Sequence, residues 1–359
     1  MSQLGNKLYI AAIGMLTPLG YNSAMTSAAV GAGISAYKLS DYRSKSGRAI
    51  RTSPVPEEIF SLDVDVEKNA TYRPQYDRVI KMAALALQDV EKELSKPIKK
   101  AIPLILALPE SIPNVDQTPP HLLLNNILKL SDIPIDGSKV QGVPTGRAAG
   151  LQALELAERN LFQLGDDFVL IGGSDSYINL SFINHLEEQD RLLFEGKIGG
   201  FVIGEGASFL LLTRHAEHAM QQDNHIIAIN PVGIADEHGH IGSDEPYRGD
   251  GLDQAFKQAL ANYSGHKIDA IYGSMNGEAF WSKEQGVAQT RNHQFFTDNL
   301  AIEHPADCFG DLGAAMGSTL IGVSALALLD DKRHNAHLVY SSSDGAKRAA
   351  VIVEKISIT

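Results

Sequence analysis

The stretch Lys139-Val-Gln-Gly-Val-Pro-Thr-Gly-Arg-Ala-Ala-Gly-Leu-Gln-Ala-Leu154 decides the reading of this chain. A short strand leads into a helical pattern that begins near Gly146 and continues to Leu164. That helix is rich in small residues and apolar nearly all round. A helix with no wide polar face must be buried, and its small residues let a neighbouring backbone approach closely. A second segment reads the same way: Gly313-Ala-Ala-Met-Gly-Ser-Thr-Leu-Ile-Gly-Val-Ser-Ala-Leu-Ala-Leu-Leu329. Two such helices, one in each half of the chain, point to an internal duplication.

Strand-like and helical runs alternate throughout, the pattern of an α/β protein. In the first half, strands are expected near 8–13, 102–108 and 168–171, with helices near 76–94 and 146–164. In the second, strands are expected near 226–234, 268–272, 338–341 and 349–356, with helices near 252–263 and 310–329. The polar stretch Thr213-Arg-His-Ala-Glu-His-Ala-Met-Gln-Gln-Asp-Asn224 is the natural boundary, dividing the chain into halves 1–220 and 221–359.

Five further motifs carry a family resemblance. They are Tyr9-Ile-Ala-Ala-Ile-Gly-Met-Leu-Thr-Pro-Leu-Gly20, Gly31-Ala-Gly-Ile-Ser35, Asp77-Arg78 ahead of a helix, Phe168-Val-Leu-Ile-Gly-Gly-Ser-Asp175 and Gly200-Phe-Val-Ile-Gly-Glu-Gly-Ala207. Together with the opening stretch they resemble the β-ketoacyl synthase branch of the thiolase-like superfamily. The resemblance implies a five-layer αβαβα fold of two similar halves, a dimer joined edge to edge through the strand 168–171, and an architectural role for Glu205. It also implies a cysteine at the N-terminus of the first buried helix, where a thiolate is stabilised, and two histidines that hydrogen-bond a developing enolate. On that resemblance Val143 takes the cysteine place, Ser274 the first histidine place and Asp311 the second, at the start of Gly310-Asp-Leu-Gly-Ala-Ala315. The loop that should carry a gating phenylalanine reads Ser341-Ser-Ser-Asp-Gly-Ala-Lys347.

Losing a cysteine and two histidines together is a coherent loss of catalysis. The resemblance therefore implies a non-catalytic protein: a subunit pairing with itself or with a thiolase-like chain, as chain-length factors do, or an adaptor or chaperone for a protein client, as beside bacterial secretion effectors. The alternative is an acyl-transferring condensing enzyme or acyl-thioester-binding protein with relocated chemistry, for which Thr145, Ser274, Cys308 and Asp311 are the candidates; an acyl carrier protein would then be a partner. Asp311 is expected to cap its helix, since a carboxylate accepts the unpaired amides there. No cofactor is implied.

Composition narrows the partners. With 359 residues and 44% apolar content the chain can bury a large core, and a formal net charge of −12 argues against nucleic acid. Lys96, Lys99 and Lys100 form a local basic cluster, read as a solvated turn. Apolar runs such as Ala101-Ile-Pro-Leu-Ile-Leu-Ala-Leu108 are of strand length, too short for a membrane span, and Met1-Ser-Gln-Leu-Gly-Asn-Lys7 lacks the features of a secretory signal. A single cysteine, Cys308, fits a cytoplasmic protein. Asp236-Glu-His-Gly-His-Ile-Gly-Ser-Asp-Glu245 lacks metal-ligand spacing and reads as a polar loop, with no metal expected; Phe280 and Trp281 read as anchors of a loop and its following helix.

Overall fold

The structure, a computed structural model, describes residues 6–61, 73–94, 96–261 and 263–358; Met1–Gly5, the start of the stretch read above for a secretory signal, lies outside them. Ten strands form two five-stranded units. The first runs Ile135–Val143, Ile102–Ala107, Phe168–Ser176, Ile203–Thr213, Leu8–Leu16; the second runs Phe296–Glu303, Ile268–Gly273, Ala336–Ser342, Lys347–Ser357, His225–Ile229. In each unit the first three strands are parallel and the last two antiparallel. Numbered by chain position within its unit, each sheet has the order 3-2-4-5-1. Identical order and direction in both units is the duplication that the two apolar helices pointed to. The sheets join where Leu8 and Tyr9 pair with Ile229 and Ala228.

Strand alternation assigns the layers. In the first sheet Ile105, Ala107, Val169, Ile171, Leu210 and Leu212 face the molecular centre, whereas Leu104, Leu106, Leu170, Phe209 and Leu211 face outward onto the helices Pro74–Glu93 and Pro120–Leu130. In the second, Val339, Val351 and Val353 face the centre, and Leu338, Tyr340 and Ile352 face the helices Asp250–Ala261 and Ala279–Arg291. Because successive residues point to opposite faces, a strand buried on both sides is apolar throughout. Between the sheets lie the first central helix, Ala149–Glu158, and the second, Met316–Asp330. The result is αβαβα.

The two central helices touch backbone to backbone. A Cβ on Gly150 would lie 2.6 Å from the amide nitrogen of Ser318, and one on Gly317 would lie 2.9 Å from that of Leu151. The segment Gly313–Asp330 is long and apolar enough to cross a membrane, but it is 83% buried inside the protein, between two sheets. The sheet pays out its edge differently from the expectation: Phe168–Ser176 is interior, hydrogen-bonded to Ile102–Ala107 on one side and Ile203–Thr213 on the other, and the outer edge is Ile135–Val143. The strand expected at 226–234 is two, His225–Ile229 and Gly233–Asp236, both paired to Lys347–Ser357.

Gly150→Val and Gly317→Val are each expected to lose on the order of 3 kcal/mol or more in urea denaturation, because backbone cannot move aside as a side chain can. Gly286→Ala, at a helical position where nothing lies within 4 Å of the new Cβ, is expected to gain about 0.5–1 kcal/mol.

Candidate functional site

Both central helices begin at the carboxyl ends of the parallel strands, and both are entered the same way. Gly146 and Gly313 adopt left-handed φ values of 61° and 56°, and each opens a three-residue 3₁₀ turn, Gly146–Ala148 and Gly313–Ala315. Gly313 has no alternative: a Cβ there would also lie 2.2 Å from a carboxylate oxygen of Asp175. This entry places Arg147 at the start of the first helix and Asp311 just ahead of the second.

Arg147 and Asp311, 2% and 0% exposed, meet in a buried ion pair with Nη1 2.8 Å from Oδ2. Asp311 Oδ2 also accepts from Asn276 Nδ2 at 3.1 Å, and its Oδ1 accepts from the amide of Gly313 at 3.0 Å. Arg147 donates through Nε to the carbonyl of Ser342 at 2.8 Å and through Nη2 to Asp344. Asp344 is shared: Arg191 Nη1 lies 2.7 Å from its Oδ2, while Arg191 forks onto Glu278 at 2.7 and 3.0 Å. Trp281 closes the cluster, donating from Nε1 to Glu278 at 3.0 Å with the guanidinium of Arg147 4.7 Å from its ring centre and that of Arg348 at 5.5 Å. Arg348 in turn pairs with Glu284 at 2.6 Å.

Three guanidiniums thus stand among four carboxylates in a dry interior. Burial alone would raise the Asp344 carboxyl, but Arg147 and Arg191 overcome that and hold it well below the usual range. Burial likewise opposes the charge on Arg147, and Asp344 and Asp311 more than restore it. Glu110 anchors the same loop from outside the cluster, its two oxygens accepting the amides of Asp344 and Gly345 at 3.1 and 3.0 Å. Burial and the neighbouring Asp344 push its carboxyl up. Ser341–Lys347 is therefore held from both sides.

Of the three expected positions, the structure brings only Asp311 into this cluster. Val143 is the last residue of its strand and packs in the central core, 8% exposed. The helix start, four residues on, belongs to Arg147. Ser274 directly follows its strand, but its hydroxyl is turned back to accept the amide of Ser342 at 2.9 Å; the side chain that reaches Asp311 from this segment is Asn276. The candidates for relocated chemistry lack partners suited to it. Thr145 donates to Gln152 at 3.1 Å, an amide and not a base. Burial, then Asp307 and Glu303, push the Cys308 thiol up, which disfavours the thiolate. Among the described residues no group of three or more metal-ligating side chains converges.

Arg147→Ala is expected to cost about 3–5 kcal/mol in stability, because it strands Asp311 and Asp344 without their partner. Asp311→Asn keeps an acceptor for Gly313 but loses the charge. It should be damaging in the presence of Arg147 and much less so when combined with Arg147→Met, a coupling that a double-mutant cycle measures. Asp175 gives a pH signature. Its buried carboxyl is raised to about 6, by burial first, with the amides of Ala314 and Ser176 lowering it and Asp311 raising it further. Its unfolded value is about 3.9, so its stabilising contribution is complete below pH ~4 and is lost as pH rises through ~6, on the order of 2–3 kcal/mol. Asp175→Asn should abolish that slope in denaturation series across this range.

No family model matches the chain. It is 31% identical over 164 residues to a protein of Schizosaccharomyces pombe named as a mitochondrial 3-oxoacyl-[acyl-carrier-protein] synthase, a match covering 41% of this chain and 38% of that protein. Among solved structures, the ketosynthase from module 6 of the bacillaene synthase of Bacillus subtilis 168 superposes with a TM-score of 0.76 at 16% identity, covering 98% of this chain and 72% of the other. A ketosynthase in complex with its chain length factor from Xenorhabdus doucetiae gives 0.69 at 17%, covering 99% of each. A type II polyketide synthase acyl-carrier protein in complex with its ketosynthase gives 0.74 at 16%, covering 99% and 100%. The five-layer, duplicated architecture of this chain is the thiolase-like fold of the ketosynthases and chain length factors.

Proposed function

We propose that this protein is a non-catalytic thiolase-fold subunit that works by pairing with a second thiolase-like chain. The observation that carries the reading is the buried contact of Arg147 with Asp311 and of Asp311 with Asn276. On the resemblance Val143 takes the nucleophile's place, and Arg147 stands four residues on, in the turn that opens the first central helix. Ser274 and Asp311 take the places of the two enolate-binding donors, and Asn276 is the side chain that reaches Asp311. A guanidinium has no lone pair to attack a thioester, and a carboxylate repels an enolate. Arg147, Asp311 and Asn276 bond one another instead of a substrate, and the pinned turn 341–347 leaves the cluster closed.

Pairing is supported by the exposed edge. Ile135–Val143 is hydrogen-bonded on one side only, and a strand left so is a template for another strand. Several proteins of this fold are ketosynthases held with a chain length factor. Either a second copy or a related catalytic chain would satisfy the edge.

Incubated with acetyl and malonyl thioesters, the purified protein is expected to gain no mass by intact-mass spectrometry and to release no carbon dioxide. A stoichiometric adduct lost on Thr145→Ala or Cys308→Ala would overturn the reading. In light scattering at micromolar concentration we expect a dimer, weakened at least tenfold by Ser138→Lys with Gln141→Lys on the edge strand. A monomer that dimerises only when mixed with an intact ketosynthase chain would assign the heteromeric form.

A further inference from the structure

The candidate site occupies one end of the first sheet. At the other end, where Ile102 and Phe168 begin their strands, lies a cavity of about 820 Å³, within the range of small-molecule sites. Phe168 and Asp175 are seven residues apart on one extended strand, roughly 23 Å at ~3.3 Å per residue, so the two places are independent.

The floor of the cavity is apolar, built from Leu94, Ile98, Ile102, Phe168 and Met220. The Phe168 ring is stacked with His218 at 5.2 Å. Of the acids around it, Asp166 is paired through Oδ1 with Lys139 at 2.7 Å, and Asp167 is engaged by His215 and Arg214 at 3.3 and 3.5 Å. Glu217 lies 3.8 Å from His215, which leaves Glu93 as the acid of the rim without a cation. Lys96, Lys99 and Lys100 stand exposed on the lip with no ion-pair partner among the described residues. In a chain of net charge −12, this lip carries unneutralised positive charge beside apolar surface. One acceptor is also unsatisfied: Asp166 Oδ2 is buried, in a side chain 5% exposed, and has no hydrogen-bond partner. It lies beneath the cavity wall with no accessible surface, out of reach of a ligand in the cavity.

We propose that this cavity is a binding site for an amphipathic anion. Its aromatic or aliphatic body lies on Phe168, Ile98 and Met220, and its carboxylate, sulfonate or phosphate head meets Lys99 and Lys100. The site stands apart from the ion-paired centre and does not depend on the subunit role proposed above.

The test uses 8-anilinonaphthalene-1-sulfonate, whose aromatic body and anionic head match the two features. The full chain is expected to enhance its fluorescence with a saturable stoichiometry of one per chain. Lys99→Glu with Lys100→Glu, and separately Ala101→Trp on the lip, should each weaken binding at least tenfold without changing the thermal midpoint, since all three residues are exposed. Displacement by dodecanoate alone assigns a carboxylate head, and by dodecyl phosphate alone a phosphate head. Absence of saturable binding, affinity in the lip variants equal to that of the unaltered protein, or displacement by neither competitor overturns the proposal.

Discussion

The guanidinium of Arg147 is the constraint on which the centre of this molecule depends. It sits where the N-termini of two buried helices and the ends of two sheets converge, and it is bonded at once to Asp311 from the second half, to Asp344 and to the backbone of Ser342. All three of its guanidinium nitrogens find an acceptor, which offsets the cost of a charge at such a depth. That pairing fixes neighbours far apart in sequence: Asn276 and Gly313 complete Asp311, Arg191 completes Asp344, and Glu278 and Trp281 complete Arg191. The point where the two helix starts meet thus holds the two halves together. The same property makes it brittle, because losing one member leaves an opposite charge buried.

The rest of the architecture is the apolar frame that allows this centre to form. Gly150 and Gly317 let the central helices meet at backbone distance, which brings their starting turns to the same place. Strands apolar on both faces then cover that helix pair above and below, and the outer helices close the sheets against solvent. Glycine at 146 and 313 turns the chain from strand end to helix without a side chain in the way. The few polar residues inserted at those turns consequently decide what the centre of the molecule contains.

Much of this was legible in the residues. The buried helices were visible because they lack a polar face, and the long apolar strands because their composition leaves no other option. Ile135–Val143 and Phe296–Glu303 were harder to read, since edge strands of mixed polarity carry no clean alternation, and Ile203–Thr213 showed first as a glycine-rich turn. For the same reason the edge was expected at Phe168, whose strand looks apolar because it is interior. Asp311 stands ahead of its helix, and its Oδ1 accepts the amide of Gly313, the first residue of the 3₁₀ turn. Val143 and Ser274 were assigned by aligning their motifs with the family pattern, and neither takes part in the ion-paired cluster.

The amino-acid sequence by itself determined the layers: periodicity and small-residue helices dictate which surfaces must be buried, and burial of apolar area is insensitive to the details of any one turn. It also determined that the places which the family resemblance gives to a cysteine and two histidines read Val143, Ser274 and Asp311. Only the tertiary structure decided which side chains meet at the helix starts. That Arg147 stands in the turn opening the first helix, and that Asn276 reaches Asp311, depends on a few residues of turn between strand and helix. Local sequence does not encode that register. It is set by the long-range requirement that a buried arginine, carried by one half, finds its carboxylate in the other.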